Sequence, residues 1–155
     1  MLSITRKTDY ALIAMADLAK HHPSVVNTRD ISERLRIPGP VLQKILTRLA
    51  NEGLAVSIQG PKGGYRLSRP PYRISLAQVV TAIEGSFRLT ACAGPQPKKA
   101  KRDCVAAPTC PISKPMRKVH NLLEQCLTAV NLAQLASDTV PHSVTLSAPA
   151  KRRKR

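Results

Sequence analysis

A chain of 155 residues with 43% hydrophobic content is long enough for one domain with its own core. Its charge is less ordinary: 25 Lys and Arg against 9 Asp and Glu give a net +16, which points to nucleic acid or another polyanion as partner. The first apolar run, residues 11–16, is broken by Asp17, and no run approaches the ~20 apolar residues of a membrane span. The expectation is a cytoplasmic protein without a membrane partner. There is no Trp, and Tyr10, Tyr65, Tyr72 and Phe87 are the only aromatics, which argues against a stacking platform for single strands.

Leu12, Met15, Ala16 and Ala19 predict an amphipathic first helix from about Thr8 to Lys20, with Thr5 and Thr8 as alternative caps. A short second helix opens at Asn27, carries Asp30 in its first turn and buries Ile31 and Leu35. Arg36-Ile37-Pro38-Gly39-Pro40 is a turn. A third helix follows from about Pro40 to Asn51, with Leu42, Ile45, Leu46 and Leu49 on one face and Gly53 as its stop. Residues 54–58 and 65–68 read as two strands joined by the glycine-rich turn 59–64. Three helices followed by a basic hairpin make a winged helix-turn-helix, whose third helix enters the DNA major groove.

A fourth helix spans about Ser75 to Glu84, carrying Leu76, Val79, Val80 and Ile83. Beyond it, Cys92, Cys104 and Cys110 lie in a segment that Pro95, Pro97, Pro108 and Pro111 keep out of regular structure. A long helix then runs from about Pro115. Met116, Val119, Leu123, Cys126 and Val130 form a heptad-like stripe suited to a second copy of itself or to the domain. His120 is expected to face outward or along that helix, His21 and His22 to be solvated, and Cys126 to pack as a small hydrophobe. Asn131 caps a short final helix, and Lys151-Arg152-Arg153-Lys154-Arg155 ends a basic tail. The fold class expected is mainly α with a small β-hairpin. Its parts are a DNA-binding domain over 1–84, a cysteine-rich segment over 85–114, a dimerisation helix over 115–137 and a disordered tail over 138–155.

On the third helix, Gln43, Lys44, Thr47 and Arg48 lie off the apolar stripe. Gln can read adenine and Arg guanine bidentately, while Lys and Thr hold phosphates. The full expected DNA-facing set is Thr28, Pro38, Gly39, Pro40, Gln43, Lys44, Thr47, Arg48, Gln59, Lys62, Gly63 and Tyr65. Glycines in the wing allow close approach to the duplex. Three thiols on one segment are good soft ligands, for an iron–sulfur cluster or for zinc.

Residues 4–12 (Ile-Thr-Arg-Lys-Thr-Asp-Tyr-Ala-Leu), 30–38, 42–46 and the wing Gly60-Pro61-Lys62-Gly63-Gly64-Tyr65-Arg66-Leu67 are similar to the IscR/NsrR/RirA/CymR family of bacterial transcription regulators. The resemblance covers about residues 1–137. It implies a homodimer that binds double-stranded, palindromic operator DNA, with repression as the expected direction. It also implies an iron–sulfur cluster (2Fe-2S or 4Fe-4S) sensing iron, redox state or nitric oxide. Carried over by position, Cys92, Cys104 and Cys110 match the cluster cysteines. For the fourth ligand, IscR-like members use a His where this chain has Ser113, and NsrR-like members use an Asp that matches Asp9. The eleven residues between Cys92 and Cys104 exceed the family's usual spacing and hold Lys98, Lys99, Lys101 and Arg102. Gln59 stands where the family's wing often has Arg.

Three other readings stay open at this level: a DNA-binding regulator with structural zinc, a cluster-free thiol switch, and a basic RNA-binding protein. Enzyme activity is not expected, since the chain carries no nucleotide-binding glycine fingerprint and no nucleophile–base constellation.

Overall fold

The computed structural model describes residues 4–86, 89–90, 93 and 109–140. Its helices are α1 (Arg6–Lys20), α2 (Thr28–Leu35), α3 (Gly39–Asn51), α4 (Leu76–Glu84), α5 (Ser113–Ala129) and α6 (Leu132–Ala136). Strands β1 (Ala55–Ile58) and β2 (Gly64–Leu67) form the hairpin. They pair antiparallel, with Ala55 opposite Leu67 and Ile58 opposite Gly64. The winged helix-turn-helix is thus present, with one addition that periodicity did not show, a 3-10 turn over Pro71–Arg73. No helix among the described residues is long and apolar enough to cross a membrane.

The first helix starts earlier than expected because Thr5, not Thr8, is its cap: the Thr5 hydroxyl accepts from the Thr8 amide. Its inward face is also rotated from the expected one. Ala11, Ala14, Met15 and Leu18 are fully buried, while Leu12, Ala16 and Ala19 lie at the margin. Small residues at 11 and 14 bring α1 close to its neighbours, and α2, α3, α4, α6 and β2 all pack on it. The core they enclose is completed by Ile31, Leu42, Leu46, Leu49, Leu67 and Ile74. Burying such side chains stabilises the domain by about 1.5–3 kcal/mol each before the entropy of ordering is subtracted.

One charge sits inside this core. Asp17 on α1 is 6% exposed and accepts from Arg34 Nε and Nη2 on α2, at 2.9 and 2.6 Å. This bidentate pair holds the Arg34 guanidinium pKa above its ordinary value, chiefly through the hydrogen bond to Asp17. His21 is not free in solvent either, since its Nδ1 lies 2.8 Å from the Asp17 carbonyl. Seventeen residues separate Asp17 from Arg34, so no local pattern announces the pair.

At the other end of the chain, the junction of α5 and α6 returns to the body. The Leu76 amide donates to Val130 O at 2.8 Å and the Leu132 amide to Ile74 O at 2.9 Å. Ser75 and Asn131 each close a capping box, which fixes the starts of α4 and α6. With its C-terminal end beside the start of α4, α5 runs antiparallel to it. Seventeen residues rise about 25 Å against about 14 Å for the nine of α4, so the first turns of α5 extend past α4.

The heptad-like stripe does not form a single buried face. His120, expected outward or along the helix, is 2% exposed and packs against α4 beside Val80 and Thr81, while Val119 is 43% and Leu122 is 44% exposed. Only one side of α5 reaches α4, and the adjacent side keeps these two apolar residues in solvent.

Candidate nucleic-acid interface

The turn between α2 and α3 is built by backbone, not by glycine. Arg36 ends α2 at φ 54°, a left-handed position that costs a non-glycine residue about 1–2 kcal/mol. Two contacts hold it there: Ser32 Oγ donates to Ile37 O at 2.7 Å, and the Ile37 amide donates to Ser32 O at 3.2 Å. Ile37 itself is buried and anchors the turn. Pro38 is the cap position of α3 and supplies no side-chain hydrogen bond; Gly39 and Pro40 occupy its first turn.

Along α3 the two faces separate cleanly. Leu42, Ile45, Leu46 and Leu49 are buried, and Gln43, Lys44, Thr47 and Arg48 are exposed. Three of these exposed residues have partners within the chain. Gln43 Nε2 donates to Tyr65 Oη at 3.0 Å, and Thr47 Oγ1 shares a 3.1 Å hydrogen bond with the same oxygen. Arg48 turns toward α4, where its Nε donates to the Ala82 carbonyl at 2.5 Å. A cation against the last carbonyls of a helix is favourable for the helix dipole.

The wing is fixed to the start of α2 from the other side. Val26 and Tyr65 exchange backbone hydrogen bonds at 2.8 and 2.9 Å. Asn27 caps α2 through Oδ1 and donates its Nδ2 to Gly63 O at 3.2 Å. This packing requires glycine: a Cβ on Gly64 would lie 2.1 Å from Val26 O, and one on Gly63 would lie 2.4 Å from Ile58 O. The wing glycines therefore serve contact within the protein, in addition to any approach of DNA. Thr28 opens α2 next to this junction, and Gln59 and Lys62 stand exposed at the wing tip. Gly63 and Tyr65, placed by sequence among the DNA-facing residues, are buried beneath it.

Of the expected metal ligands, Cys92 and Cys104 lie outside the described residues. Cys110 is half-buried just ahead of α5, and Asp9 is exposed in the first turn of α1. No group of three His, Cys, Asp or Glu side chains comes together among the described residues. Cys126 is half-buried on α5. One residue that sequence did not single out ties this region together. Glu84, the last residue of α4, accepts from the hydroxyls of Thr5 and Thr8 at the start of α1. Those hydroxyls, Thr5 first, hold the Glu84 carboxyl below its ordinary pKa. The cysteine segment begins directly after, at Gly85.

The sequence profile of the Rrf2 family, described as an iron-dependent transcriptional regulator, matches residues 4–138. The HTH-type transcriptional regulator IscR of Vibrio vulnificus is 34% identical over 138 residues, covering 88% of this chain and 79% of that protein. IscR of Erwinia tasmaniensis is 33% identical over the same length, with 88% and 80% covered. Among solved structures, the global cysteine regulator CymR of B. subtilis superposes with a TM-score of 0.68 at 27% identity, over 90% of this chain and 99% of that one. T. potens IscR gives 0.66 at 26% identity, over 94% of each chain.

Proposed function

The chain belongs to the Rrf2 family of helix-turn-helix transcriptional regulators, and within that family we propose that it is a homodimeric repressor whose operator affinity is set by an iron–sulfur cluster. In this reading α3 enters the major groove of each half-site. Gln43 and Lys44 meet base edges and backbone, Thr47 a phosphate, and Gln59 and Lys62 the flanking minor groove. Thr28 and the Pro38-Gly39-Pro40 turn lie close to the phosphates. The dimer is completed by α5, whose Val119 and Leu122 gain a partner in a second copy.

Cys92, Cys104 and Cys110 would hold the cluster, with Asp9 as fourth ligand. The donor set fits: thiolates are the usual ligands of such clusters, and three of them leave one iron site for a carboxylate. When bound, the cluster supplies iron–thiolate bonds that respond to iron supply, oxidants or nitric oxide. The rest is done by the chain. The observation that carries the proposal is the position of α4's last turn. Within three residues, Ala82 O holds Arg48 of α3 and Glu84 holds Thr5 and Thr8 of α1, and the cysteine segment follows. A change in how the thiolates hold that segment acts on the end of α4, and through Arg48 on the seating of α3. Paired reading helices must match half-sites about 34–36 Å apart, so a small displacement costs specific affinity.

The test is iron, zinc and sulfide analysis, with a visible spectrum, on anaerobically purified protein. Iron and sulfide in matching amounts, and a spectrum altered by Asp9→Ala, are expected. Colourless protein without iron under every preparation overturns the cluster assignment, and stoichiometric zinc replaces it with a structural site.

A further inference from the structure

We infer that Tyr65 is the specificity-positioning residue of the interface: from beneath the reading helix it orients Gln43 and Thr47 without touching DNA. The inference rests on α3 being the duplex-reading helix. Tyr65 is 4% exposed, so its ring belongs to the core and contributes no contact surface. Its hydroxyl nevertheless reaches the outer face of α3 and lies between two side chains one turn apart. Gln43 Nε2 is at 3.0 Å and Thr47 Oγ1 at 3.1 Å.

The chemistry of the three groups makes this an orienting device. A phenol has one hydrogen to give and lone pairs to accept with. Having accepted one Gln43 N–H, Tyr65 can give its own hydrogen to Thr47 Oγ1, a contact in which either hydroxyl can be the donor. In that arrangement the Thr47 hydrogen is left to point outward as a donor. Gln43 retains its second N–H beside its Oε1, the donor–acceptor pair that an adenine edge requires. Without the phenol oxygen, the Gln43 amide can turn over and present the same two groups in the opposite order. A long, flexible side chain thus reaches the groove with its orientation already set, which reduces the entropy lost on binding.

Tyr65 is itself held in place. Its backbone pairs with Val26 ahead of α2 on one side and with Ser57 of β1 on the other. The position of the phenol oxygen is therefore set by the wing, and the wing acts on base reading through it.

The experiment selects the preferred duplex of the wild type from a random pool. It then measures every single base-pair change against the wild type, Tyr65→Phe, Gln43→Ala and the double variant, at one salt concentration. The expected result is that Tyr65→Phe and Gln43→Ala flatten the preference at the same base pair by roughly tenfold. The double variant should be no flatter there, and Tyr65→Phe should keep its affinity for unrelated duplex. In the DNA-free wild type, one of the two Gln43 side-chain amide hydrogens should exchange more slowly than the other.

Three results overturn the inference: a Tyr65→Phe preference identical to the wild type's, a uniform weakening on every duplex, or equal fast exchange of both Gln43 hydrogens. A wild type that selects no sequence at all removes the duplex-reading assignment itself, a result distinguishable from the other three.

Discussion

Arg48 Nε and the carbonyl of Ala82 stand 2.5 Å apart, so α3 and α4, the helix that leads into the cysteine segment, share a hydrogen bond. Arg48 is exposed and Ala82 is buried, and Arg48→Ala should cost about 1 kcal/mol in chemical denaturation. Its larger effect should be on coupling. The ratio of operator affinities between iron-loaded and iron-free protein should fall toward one, measured by anisotropy at fixed salt. An unchanged ratio would show that α4 speaks to α3 by another route.

Glu84 supplies a pH dependence with a definite sign. Its carboxyl pKa lies below the ordinary value near 4.5 because the hydroxyls of Thr5 and Thr8 donate to the ionised form. A depressed carboxylate contributes stability above its unfolded pKa and loses it as pH falls through the folded one. Thermal melts should therefore show wild type more stable than Glu84→Gln at pH 7, with the gap closing as pH falls below the ordinary 4.5 and through the depressed folded-state value. A gap that is constant with pH would mean that the carboxylate charge plays no part.

Gly64→Ala tests how the wing is seated. The added Cβ meets Val26 O at 2.1 Å, a backbone atom that cannot rotate away. The loss of stability should reach ~2 kcal/mol or more. Duplex affinity should fall by a further margin as the wing separates from α2, while helical circular dichroism stays near the wild-type level. Full operator binding by this variant would show that the seated wing is dispensable.

Val119→Asp combined with Leu122→Asp places charge on the exposed side of α5 while leaving His120 and its packing on α4 in place. Sedimentation should show a monomer. Affinity for a palindromic duplex should fall more than tenfold while half-site binding changes little. A variant that remains dimeric would place the dimer contact elsewhere.

Much of this fold was legible because it is local. The helix periods, the Asn27 and Asn131 caps and the glycine-rich hairpin turn are all written within a few residues of where they act. What escaped was tertiary. Nothing near Asp17 announces Arg34, and nothing near Glu84 announces Thr5 and Thr8, because such pairs form only once helices cross. The same limit applied to α5. A stripe at heptad spacing predicts an apolar helix, but not which part of it faces α4, and His120 was misplaced for that reason. At the interface, Gln43, Lys44, Thr47 and Arg48 were identified as the outer residues of α3, yet their inward partners Tyr65 and Ala82 were not. Tyr65 belongs to the expected DNA-facing set from its place in the wing motif, and the structure places it buried beneath α3.

Cluster control of DNA binding is decided by operator affinity before and after iron removal from one anaerobic preparation, at a single ionic strength because phosphate contacts make affinity steeply salt-dependent. The expected result is a change of about tenfold or more on the selected palindrome, of the order of usual allosteric couplings, and none on unrelated duplex. Equal affinity for the palindrome in both states, in protein shown to have carried iron, would contradict it.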